Sequence, residues 1–272
     1  MGGNHRTRIQ RILPFFTWLK FWFWKQFRID SVLKIRTTTG LELIIRQRPT
    51  TDLGIIREVF GAEIYACPFP MEKGEMQSIV DLGANVGYGV LYWFDKYPDI
   101  KIHAFEPHPV NFKIAAQHME INRIPCGQIK LIPVAAGSVS AVMYITDEGA
   151  GSRVVDAPES GATKIELIDI FDYIENIGPI DLLKIDIEGG EYALLSDERF
   201  TTLSARVIAL EFHPNHQFSD PKAFCIEKLS AAGYVIHDAS DTDAGNMLWG
   251  LKTPFTDGSE ASPRGAFVPV GS

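Results

Sequence analysis

Five short apolar segments alternate with segments of helical spacing, and this alternation limits the possible folds of the chain more than any other feature. The apolar segments are MQSIVDLGA, IKIHAFEP, IKLIPVAA, DLLKIDIEG and RVIALEFHP, each bounded by a polar or small residue. Helical stretches such as VNFKIAAQHMEIN and GEYALLSDERF lie between several of them. Strands that alternate with helices predict a parallel sheet with helices on both faces.

Flanking segments extend this core to a doubly wound, mostly parallel sheet of seven strands in an α/β, Rossmann-like domain. Residues 30–48 alternate around Thr-Gly and predict a β-hairpin. Residues 52–65 have helical spacing, with Asp52 as the predicted N-cap. A helix at PKAFCIEKLSAAG and strands near YVIHDAS and NMLWGLK complete the predicted domain.

The chain divides into three parts. Residues 1–29 are a basic, aromatic N-terminal segment, residues 30–254 form the α/β domain, and residues 255–272 are a Gly-, Ser- and Pro-rich tail that we expect to be loose. Within the domain, the polar, Gly-rich residues 146–164 predict a mobile loop or insertion near the functional site.

The segment VDLGANVGYG places three glycines directly after an acid at the end of the first strand of the predicted core. In doubly wound sheets, ligands bind beyond the carboxyl ends of the strands. Gly83 and Gly87 let the backbone turn tightly and approach a ligand, and Asp81 can accept a hydrogen bond from a cationic or hydroxyl group. Nucleotide-binding folds of many kinds use such a turn, so it does not by itself select one ligand.

A second acid follows at the end of the next strand, in HAFEP. Glu106 lies about 20 residues beyond the glycine-rich turn, where a carboxylate can hold both hydroxyls of a ribose. A nicotinamide dehydrogenase is compatible with this acid. The turn itself is less compatible, because GANVGYG has Asn where a pyrophosphate-binding loop needs Gly. No Lys-Ser or Lys-Thr pair follows the glycines, so the turn is not a phosphate-binding P-loop.

The segments VDLGANVGYG, AFEP, VAAG and LLKIDIEGGE together resemble the FkbM-type family of S-adenosylmethionine-dependent methyltransferases. The resemblance runs from RPTTD (48–52) through EFHP (211–214). It implies the class I methyltransferase fold, S-adenosylmethionine as cofactor, and O-methylation of a sugar hydroxyl in a glycan, glycolipid or natural product. Fold alone does not set the acceptor.

The resemblance also implies which residues line the cofactor site. The glycine-rich turn would hold the methionine part, and Glu106 would hold the ribose hydroxyls. Pro107, His108 and Ala135 would surround the adenine, and Asp186 would face the methionine amino group or the substrate. A polar pair before the first helix of the domain would close over the cofactor. The implied cofactor residues are Thr51, Asp52, Asp81, Gly83, Asn85, Gly87, Tyr88, Glu106, Pro107, His108, Ala135 and Asp186.

Transfer to a hydroxyl needs a general base, and four residues after the last two core segments are candidates. Asp186 and Glu188 share a face if extended, as do Glu211 and His213, and neighbouring strands would bring them together. His213 could take the proton with Glu211 or Asp186 orienting it, or the carboxylates and His213 could hold a divalent metal. We assign His213, Asp186 and Glu211 as catalytic and no residue as a metal ligand. The alternative role of Glu188 and Glu191 is to stabilise a helix N-terminus.

Residues 6–29, RTRIQRILPFFTWLKFWFWKQFRI, are basic and crowded with aromatic residues. Lys20 and Lys25 interrupt the apolar run, which is shorter than the ~18 residues of a spanning helix. Such a helix can lie in a membrane interface, or it can pack on the domain or in a dimer contact. The predicted broad apolar face consists of Ile12, Phe15, Phe16, Leu19, Trp22, Phe23 and Phe27.

Charge and cysteine content restrict the partners and the compartment. The net charge of −8 argues against a nucleic-acid partner, which would need clustered Lys and Arg. The three cysteines are an odd number, far apart and without a CxxC pair, which indicates a reducing compartment. We therefore expect a cytoplasmic protein with a small-molecule or glycan acceptor and peripheral contact with the inner face of a membrane. The oligomeric state is left open.

Two rival functions belong to other classes. An NAD-dependent oxidoreductase on a Rossmann core is disfavoured by the spacing of the turn and by LLKIDIEGGE, and it would place a catalytic Tyr–Lys pair beside the nicotinamide. A non-catalytic, membrane-associated scaffold with a methyltransferase fold is disfavoured because the cofactor residues are intact.

Overall fold

The computed structural model describes residues 12–27, 32–46, 50–71, 74–148, 151–155, 161–242 and 245–252. The first elements are α1 (Phe15–Phe27), β1 (Leu33–Arg36), β2 (Glu42–Ile45), α2 (Asp52–Ile56), a π-helical segment (Arg57–Ala62), β3 (Ser78–Leu82), α3 (Tyr88–Lys96), β4 (Lys101–Phe105) and α4 (Pro109–Ile121). There follow β5 (Ile129–Ile132), β6 (Ala135–Gly137), β7 (Ala141–Glu148), β8 (Gly151–Val155), β9 (Thr163–Asp169), α5 (Ile170–Glu175), β10 (Ile180–Ile185) and α6 (Glu191–Ser196). The last elements are a 3₁₀ turn (Glu198–Thr202), β11 (Ala205–Glu211), α7 (Pro221–Ala231), β12 (Tyr234–Asp238) and β13 (Met247–Lys252).

A seven-stranded sheet forms the centre of the domain, in the order β12-β13-β11-β10-β3-β4-β5. The pairs among β11, β10, β3, β4 and β5 are parallel, and β13 runs antiparallel to both β11 and β12. This confirms the predicted doubly wound, mostly parallel sheet of seven strands in an α/β, Rossmann-like domain. The strand order reverses between β3 and β10, so the carboxyl ends of these two strands frame the expected ligand crevice.

Both faces of the sheet are buried, which explains why its strands are continuous apolar runs rather than alternating ones. Ile79 and Val80 are fully buried but belong to two different core clusters, one on each face. One cluster includes Trp93 of α3 and the hairpin residues, and the other includes Phe171 of α5 and Leu229 of α7. Helices therefore cover both faces, as the alternating sequence pattern predicts.

The predicted hairpin is confirmed, since β1 and β2 pair antiparallel. The predicted N-cap of α2 is wrong: Thr51 occupies the cap position, and Asp52 is the first helical residue. The buried Asp52 carboxylate accepts instead from the backbone N–H and the guanidinium of Arg46, both at 2.7 Å. A charged partner within reach outcompetes the backbone N–H groups of the helix, so Asp52 joins α2 to the end of β2.

A second, four-stranded sheet in the order β6-β9-β7-β8 was not predicted. The segment IKLIPVAA, expected to be one strand, is divided at Pro133, which has no N–H to donate to a ladder, and β6 pairs with β9. The loop predicted for residues 146–164 is also wrong for most of its described positions, which belong to β7, β8 and β9. Gly151 begins β8, and Gly161 lies between β8 and β9. Residues 149–150 and 156–160 lie outside the described residues.

Helix α1 packs one face on the domain and exposes the other. Trp24 of the helix is buried, as is Leu13 just before it, and Ile12, which was predicted to share the broad apolar face, packs against the core. Among the described residues, no helix is both long and apolar enough to cross a bilayer. Residues 6–11, the side chain of Phe27 and the tail 255–272 fall outside the described part of the chain.

Candidate active site

The turn after β3 is fixed against its two neighbouring strands. The backbone N–H groups of Gly83 and Ala84 donate to Phe105 O at 3.0 and 2.8 Å, and Asp186 N donates to Leu82 O at 3.1 Å. Gly83 has φ +87°, and a Cβ atom there would lie 1.8 Å from the backbone oxygen of Asp186. Only glycine fits this position, because the turn touches the end of β10 directly.

The next residues of the turn direct backbone N–H groups towards Glu106. Asn85 adopts a left-handed conformation (φ +51°), and its side chain accepts from Val86 N at 2.8 Å. Gly87, with φ +86°, then starts α3. In this conformation Asn85 N donates to Glu106 Oε2 at 2.7 Å, so the predicted turn and the predicted ribose-binding acid are in direct contact.

Glu106 is almost completely buried at the carboxyl end of β4. His108 N donates to its Oε1 atom at 2.8 Å, so that each carboxylate oxygen has one backbone donor. Burial raises the pKa of Glu106 to about 7, against the lowering effect of hydrogen bonds from His108, Asn85 and Asn111. Asn111 takes a further lone pair, which leaves the fixed carboxyl at least one for a hydroxyl donor.

Lys184 carries a buried positive charge between β3 and β10. Its Nζ atom lies 2.9 Å from Asp81 Oδ1 and 3.2 Å from Asp186 Oδ2, and it donates to Gly83 O at 2.6 Å. Burial disfavours the charge of Lys184, but Asp81, Tyr65 and Asp186 raise its pKa well above the usual value, so it remains protonated. Asp81, predicted to face the cofactor, is 1% exposed and paired with Lys184, whereas the side chain of Asp186 is 22% exposed. Asp186 is therefore the acid of this group that faces the crevice.

Glu191 and His213 form a hydrogen-bonded pair at the carboxyl end of β11. Glu191 is fully buried, and its Oε1 atom accepts from His213 N at 2.8 Å and lies 3.0 Å from His213 Nδ1. Its Oε2 atom accepts from Gly189 N at 2.8 Å. Because an ionised carboxylate only accepts, Nδ1 carries a proton and Nε2 is directed to the other acids, 3.7 Å from Asp186 Oδ1 and 3.5 Å from Glu188 Oε2.

This pair corrects the predicted orientation of the histidine. Glu211 and Asp186 were the expected orienting acids, but Glu191 holds the ring through Nδ1. Glu191 was expected only to stabilise the N-terminus of α6. A buried carboxylate in the first turn of a helix can accept hydrogen bonds from a residue on a neighbouring strand, or it can stabilise the N-terminus of its own helix. The sequence pattern is the same in both cases.

The cluster around His213 shifts the pKa values of its members. Burial disfavours the imidazolium, but the hydrogen bond that the ring donates to Glu191 and the charges of Glu191, Asp186 and Glu188 raise the pKa of His213 to about 9. Burial and the charge of Asp186 raise the pKa of Glu211 to about 7. At neutral pH the unliganded site therefore has a protonated histidine beside a partly ionised Glu211.

The predicted convergence of acids and histidine is confirmed. One ligand atom each from Asp186, Glu211 and His213 lies within 4.8 Å of the others. This spacing permits two kinds of chemistry. The groups can exchange a proton with a bound hydroxyl, or they can hold one divalent cation.

Two residues of the site gave no sequence signal. The π-helical segment brings Glu58 close enough to act on the pKa of Glu211. Tyr65, 7% exposed, places its ring centroid 5.7 Å from Lys184 Nζ. A π-helical turn is common near functional sites, but its spacing cannot be read from an apolar pattern of period 3.6.

Two predicted cofactor residues have structural contacts instead. Tyr88 is 1% exposed, and its hydroxyl donates to Ile44 O at 2.6 Å, away from the glycine-rich turn. His108 is buried at the N-cap of α4, where its Nδ1 atom accepts from Val110 N at 3.2 Å. Pro107, between Glu106 and His108, is partly exposed and remains a predicted neighbour of the adenine.

The placement of two further predicted residues, Ala135 and Asp52, also differs from expectation. Ala135 begins a strand of the second sheet, and its methyl group packs with Ile145 and Ile165. Asp52 is committed to Arg46, so it cannot move over a cofactor while that ion pair is intact. Thr51 is exposed beside it, and its predicted contact with the cofactor stays a prediction.

The chain contains two Tyr-x-x-x-Lys spacings of the kind that a dehydrogenase uses, and both lie away from this site. Tyr92 and Lys96 are on the second half of α3, where Lys96 Nζ donates to Tyr92 Oη at 2.9 Å. Tyr97 and Lys101 flank the start of β4, at the amino end of the sheet. Neither pair can reach a ligand held by Glu106 at the carboxyl end.

Comparison with known proteins agrees with the family resemblance that the sequence motifs indicate. The sequence profile of the Methyltransferase FkbM domain matches residues 81–236. Methyltransferase 1 of Beauveria bassiana (strain ARSEF 2860) is 27% identical over 209 residues, which cover 66% of this chain and 82% of the relative. Methyltransferase sdnD of Sordaria araneosa is 29% identical over 174 residues, which cover 50% of this chain and 67% of the relative.

Among solved structures, Methyltransferase FkbM from Methylobacillus flagellatus KT is similar, with a TM-score of 0.49 and 16% identity. The alignment covers 67% of this chain and 45% of that protein, so the chain spans less than half of the length of that structure.

Proposed function

The chain belongs to the FkbM family of methyltransferases, and from this premise we propose that it transfers the methyl group of S-adenosylmethionine to a hydroxyl oxygen of a sugar. The observation that supports this most is that the predicted cofactor residues and the predicted base lie at the same edge of the sheet, where the parallel strands end. It carries a fixed Glu106 next to the glycine-rich turn and, two strands from the turn, His213 held by Glu191.

The residues present fit S-adenosylmethionine. Glu106 is fixed by two backbone donors and keeps acceptor capacity for a ribose hydroxyl. Asp186 is the partly exposed acid of the Lys184 group and suits the cationic amino group of a methionine moiety. When bound, the cofactor supplies a methyl group on a sulfonium and leaves as S-adenosylhomocysteine.

In this proposal His213 is the general base. Nε2 of the ring would take the proton of the acceptor hydroxyl as that oxygen receives the methyl group. Glu191 keeps that nitrogen directed at the acceptor and stabilises the imidazolium produced. A sulfonium charge near the ring would lower the high pKa of His213, which brings the base closer to its working range.

The surrounding acids favour an acceptor with several hydroxyl groups. Asp186, Glu188 and Glu211 all stand around His213, and carboxylates are strong acceptors for hydroxyl donors. A sugar offers such donors beside the hydroxyl that reacts. The acceptor in a glycan, glycolipid or natural product would then be oriented before transfer, which lowers the entropic part of the barrier.

Calorimetric titration of the full chain with S-adenosylmethionine, S-adenosylhomocysteine and NAD, in parallel, tests the cofactor. We expect micromolar binding of the first two and none of NAD. Binding of NAD alone would assign the site to an oxidoreductase. Tight binding of S-adenosylmethionine without turnover on any acceptor would support a scaffold instead of an enzyme.

A transfer assay with methyl-labelled S-adenosylmethionine and a panel of sugars and glycolipids tests the acceptor. A methyl ether is stable to mild alkali, whereas a methyl ester is cleaved. We expect alkali-stable label in the sugar product. Label that alkali releases would move the reaction to a carboxyl acceptor and overturn the proposal of O-methylation at a hydroxyl.

A further inference from the structure

Helix α1 presents an exposed aromatic face that the methyl-transfer site does not use. We define this aromatic face by Phe15, Phe16, Leu19, Trp22 and Phe23, which follow the spacing of a single helical stripe. Phe16 is 81% exposed, Phe15 67% and Trp22 45%. The ring centroids of Phe15 and Phe16 are 5.6 Å apart, and those of Trp22 and Phe23 are 5.1 Å apart, so the exposed rings form paired contacts along the helix.

The opposite side of α1 holds the helix on the domain. Trp24 and Leu13 are buried in the core cluster that also contains the hairpin residues. The backbone oxygen of Ile12 accepts from Thr38 N at 2.8 Å. These contacts fix the rotation of the helix about its axis. The aromatic face therefore points outwards while the helix stays folded and packed on the domain.

Charge is distributed unequally between the N-terminal segment that contains this helix and the rest of the chain. Residues 1–29 contain six Lys and Arg and no Asp or Glu, whereas the remaining residues contain 20 Lys and Arg and 34 Asp and Glu. Within the described residues, Lys20 on α1 and Lys34 and Arg36 on the adjacent β1 are exposed. A basic, aromatic surface therefore sits on a protein that is otherwise acidic.

We propose that the aromatic face binds the interfacial region of an anionic lipid bilayer, with α1 lying in the plane of the membrane. Aromatic rings partition into the boundary between headgroups and acyl chains, and flanking cations are attracted to anionic headgroups. The 13 residues of α1 are too few to cross the hydrocarbon core, which needs ~20. This proposal is independent of the acceptor and of the methyl transfer.

A second copy of the chain is a less suitable occupant of the same face. A two-fold contact would bring each copy's basic segment against the same segment of its partner. Six like charges on each side would then repel one another, whereas an anionic bilayer would neutralise them.

Cosedimentation of the full chain with lipid vesicles tests the proposal. The vesicles are phosphatidylcholine alone, or phosphatidylcholine with phosphatidylglycerol. We expect binding to the anionic vesicles that weakens as the salt concentration rises. The triple variant Phe15→Ser, Phe16→Ser, Trp22→Ser should bind about ten-fold more weakly or worse, since it loses the most exposed apolar area.

Two further variants separate the contribution of charge from that of the aromatic face. Lys20→Glu leaves the aromatic face intact and should lower binding to anionic vesicles by about five-fold or more. The matched control Val139→Ser, Val235→Ser changes two apolar residues that are 56% and 55% exposed elsewhere, and it should bind like the wild type. Circular dichroism and calorimetric titration with S-adenosylmethionine check that each variant is folded.

Three outcomes would overturn the proposal. The first is a wild-type protein that does not bind anionic vesicles at low salt, and the second is a triple variant that binds as well as the wild type. The third comes from analytical ultracentrifugation without lipid. A wild-type dimer that the triple variant converts to monomers would assign the aromatic face to a second copy of the chain.

Discussion

Glu191 holds His213 at two points, with Oε1 2.8 Å from the backbone nitrogen and 3.0 Å from Nδ1 of the ring. The carboxylate is fully buried, and its other oxygen accepts from Gly189 N. Both the position and the protonated nitrogen of the ring are thereby determined, which leaves Nε2 for chemistry at the mouth of the crevice.

The variant Glu191→Gln tests this relationship. The amide keeps the size and one acceptor oxygen but removes the charge that raises the pKa of His213. We expect kcat to fall. Activity should increase with pH as the ring of His213 loses its proton, and in the variant this increase should occur at lower pH because the pKa of the ring is lower. A purely structural role for Glu191 would lower stability without moving the pH profile, and that result would contradict the assignment.

The pH profile of the wild-type enzyme identifies the base. A base must be unprotonated, so activity should increase with pH until the group has lost its proton. If His213 takes the proton, the rise of kcat/KM should be centred near the pKa of about 9 and level off at higher pH. A rise centred near 7 would assign the role to Glu211 instead.

Substitution of His213 separates catalysis from binding. We expect His213→Gln to lower turnover ~100-fold or more, as for a lost general base, with nearly unchanged affinity for S-adenosylmethionine. Glu211→Gln is the matched comparison on the same strand end and should have the smaller effect. Full activity of His213→Gln would remove the histidine from the mechanism.

Glu106→Ala should weaken cofactor binding strongly. A hydrogen bond to a charged group contributes ~1.5–3 kcal/mol, so the loss of a ribose contact should raise the Kd for S-adenosylmethionine by about ten-fold or more. Glu106→Gln keeps the side-chain size but offers an acceptor to only one of the two backbone donors, so it should weaken binding less than Glu106→Ala. Unchanged calorimetric affinity in Glu106→Ala would exclude Glu106 from the cofactor site.

Lys184→Met should destabilise the fold by about 3–5 kcal/mol, because it leaves Asp81 charged and buried without its partner. The double variant Asp81→Asn, Lys184→Met removes both charges and should recover part of that loss. Urea unfolding of the wild type, the two single variants and the double variant measures the coupling. Simple additivity of the two changes would show that the ion pair does not stabilise the fold.

Chelation tests whether the acids hold a metal. Since His213 is assigned as a base, we expect treatment with EDTA to leave activity unchanged. Loss of activity on chelation, with recovery on addition of Mg²⁺ or Mn²⁺, would reassign Asp186, Glu211 and His213 as metal ligands.

The sequence predicted the central sheet because its strands are buried on both faces and therefore appear as short continuous apolar runs. It also predicted the meeting of Asp186, Glu211 and His213, because parallel strands end at the same edge. It did not predict the second sheet. Its strands carry polar residues and surround a Gly-rich connection, and this composition is the same as that of a loop.

Individual contacts were harder to predict than positions. An acid in the first turn of a helix has the same sequence signal whether it serves the helix or, like Glu191, a histidine on a neighbouring strand. The nearness of Tyr88 to the glycine-rich turn in sequence did not show that α3 directs it to the hairpin, where it meets Ile44. Rotation about a helix axis is set by tertiary packing.

The contact of Gly83 with the backbone of Asp186 has a consequence for engineering. The turn that is proposed to hold the cofactor and the strand end that faces the acceptor share one van der Waals surface, with no room for a methyl group between them. A change that moves one of them must move the other. Laboratory evolution towards new acceptors should therefore leave the glycine at position 83 invariant.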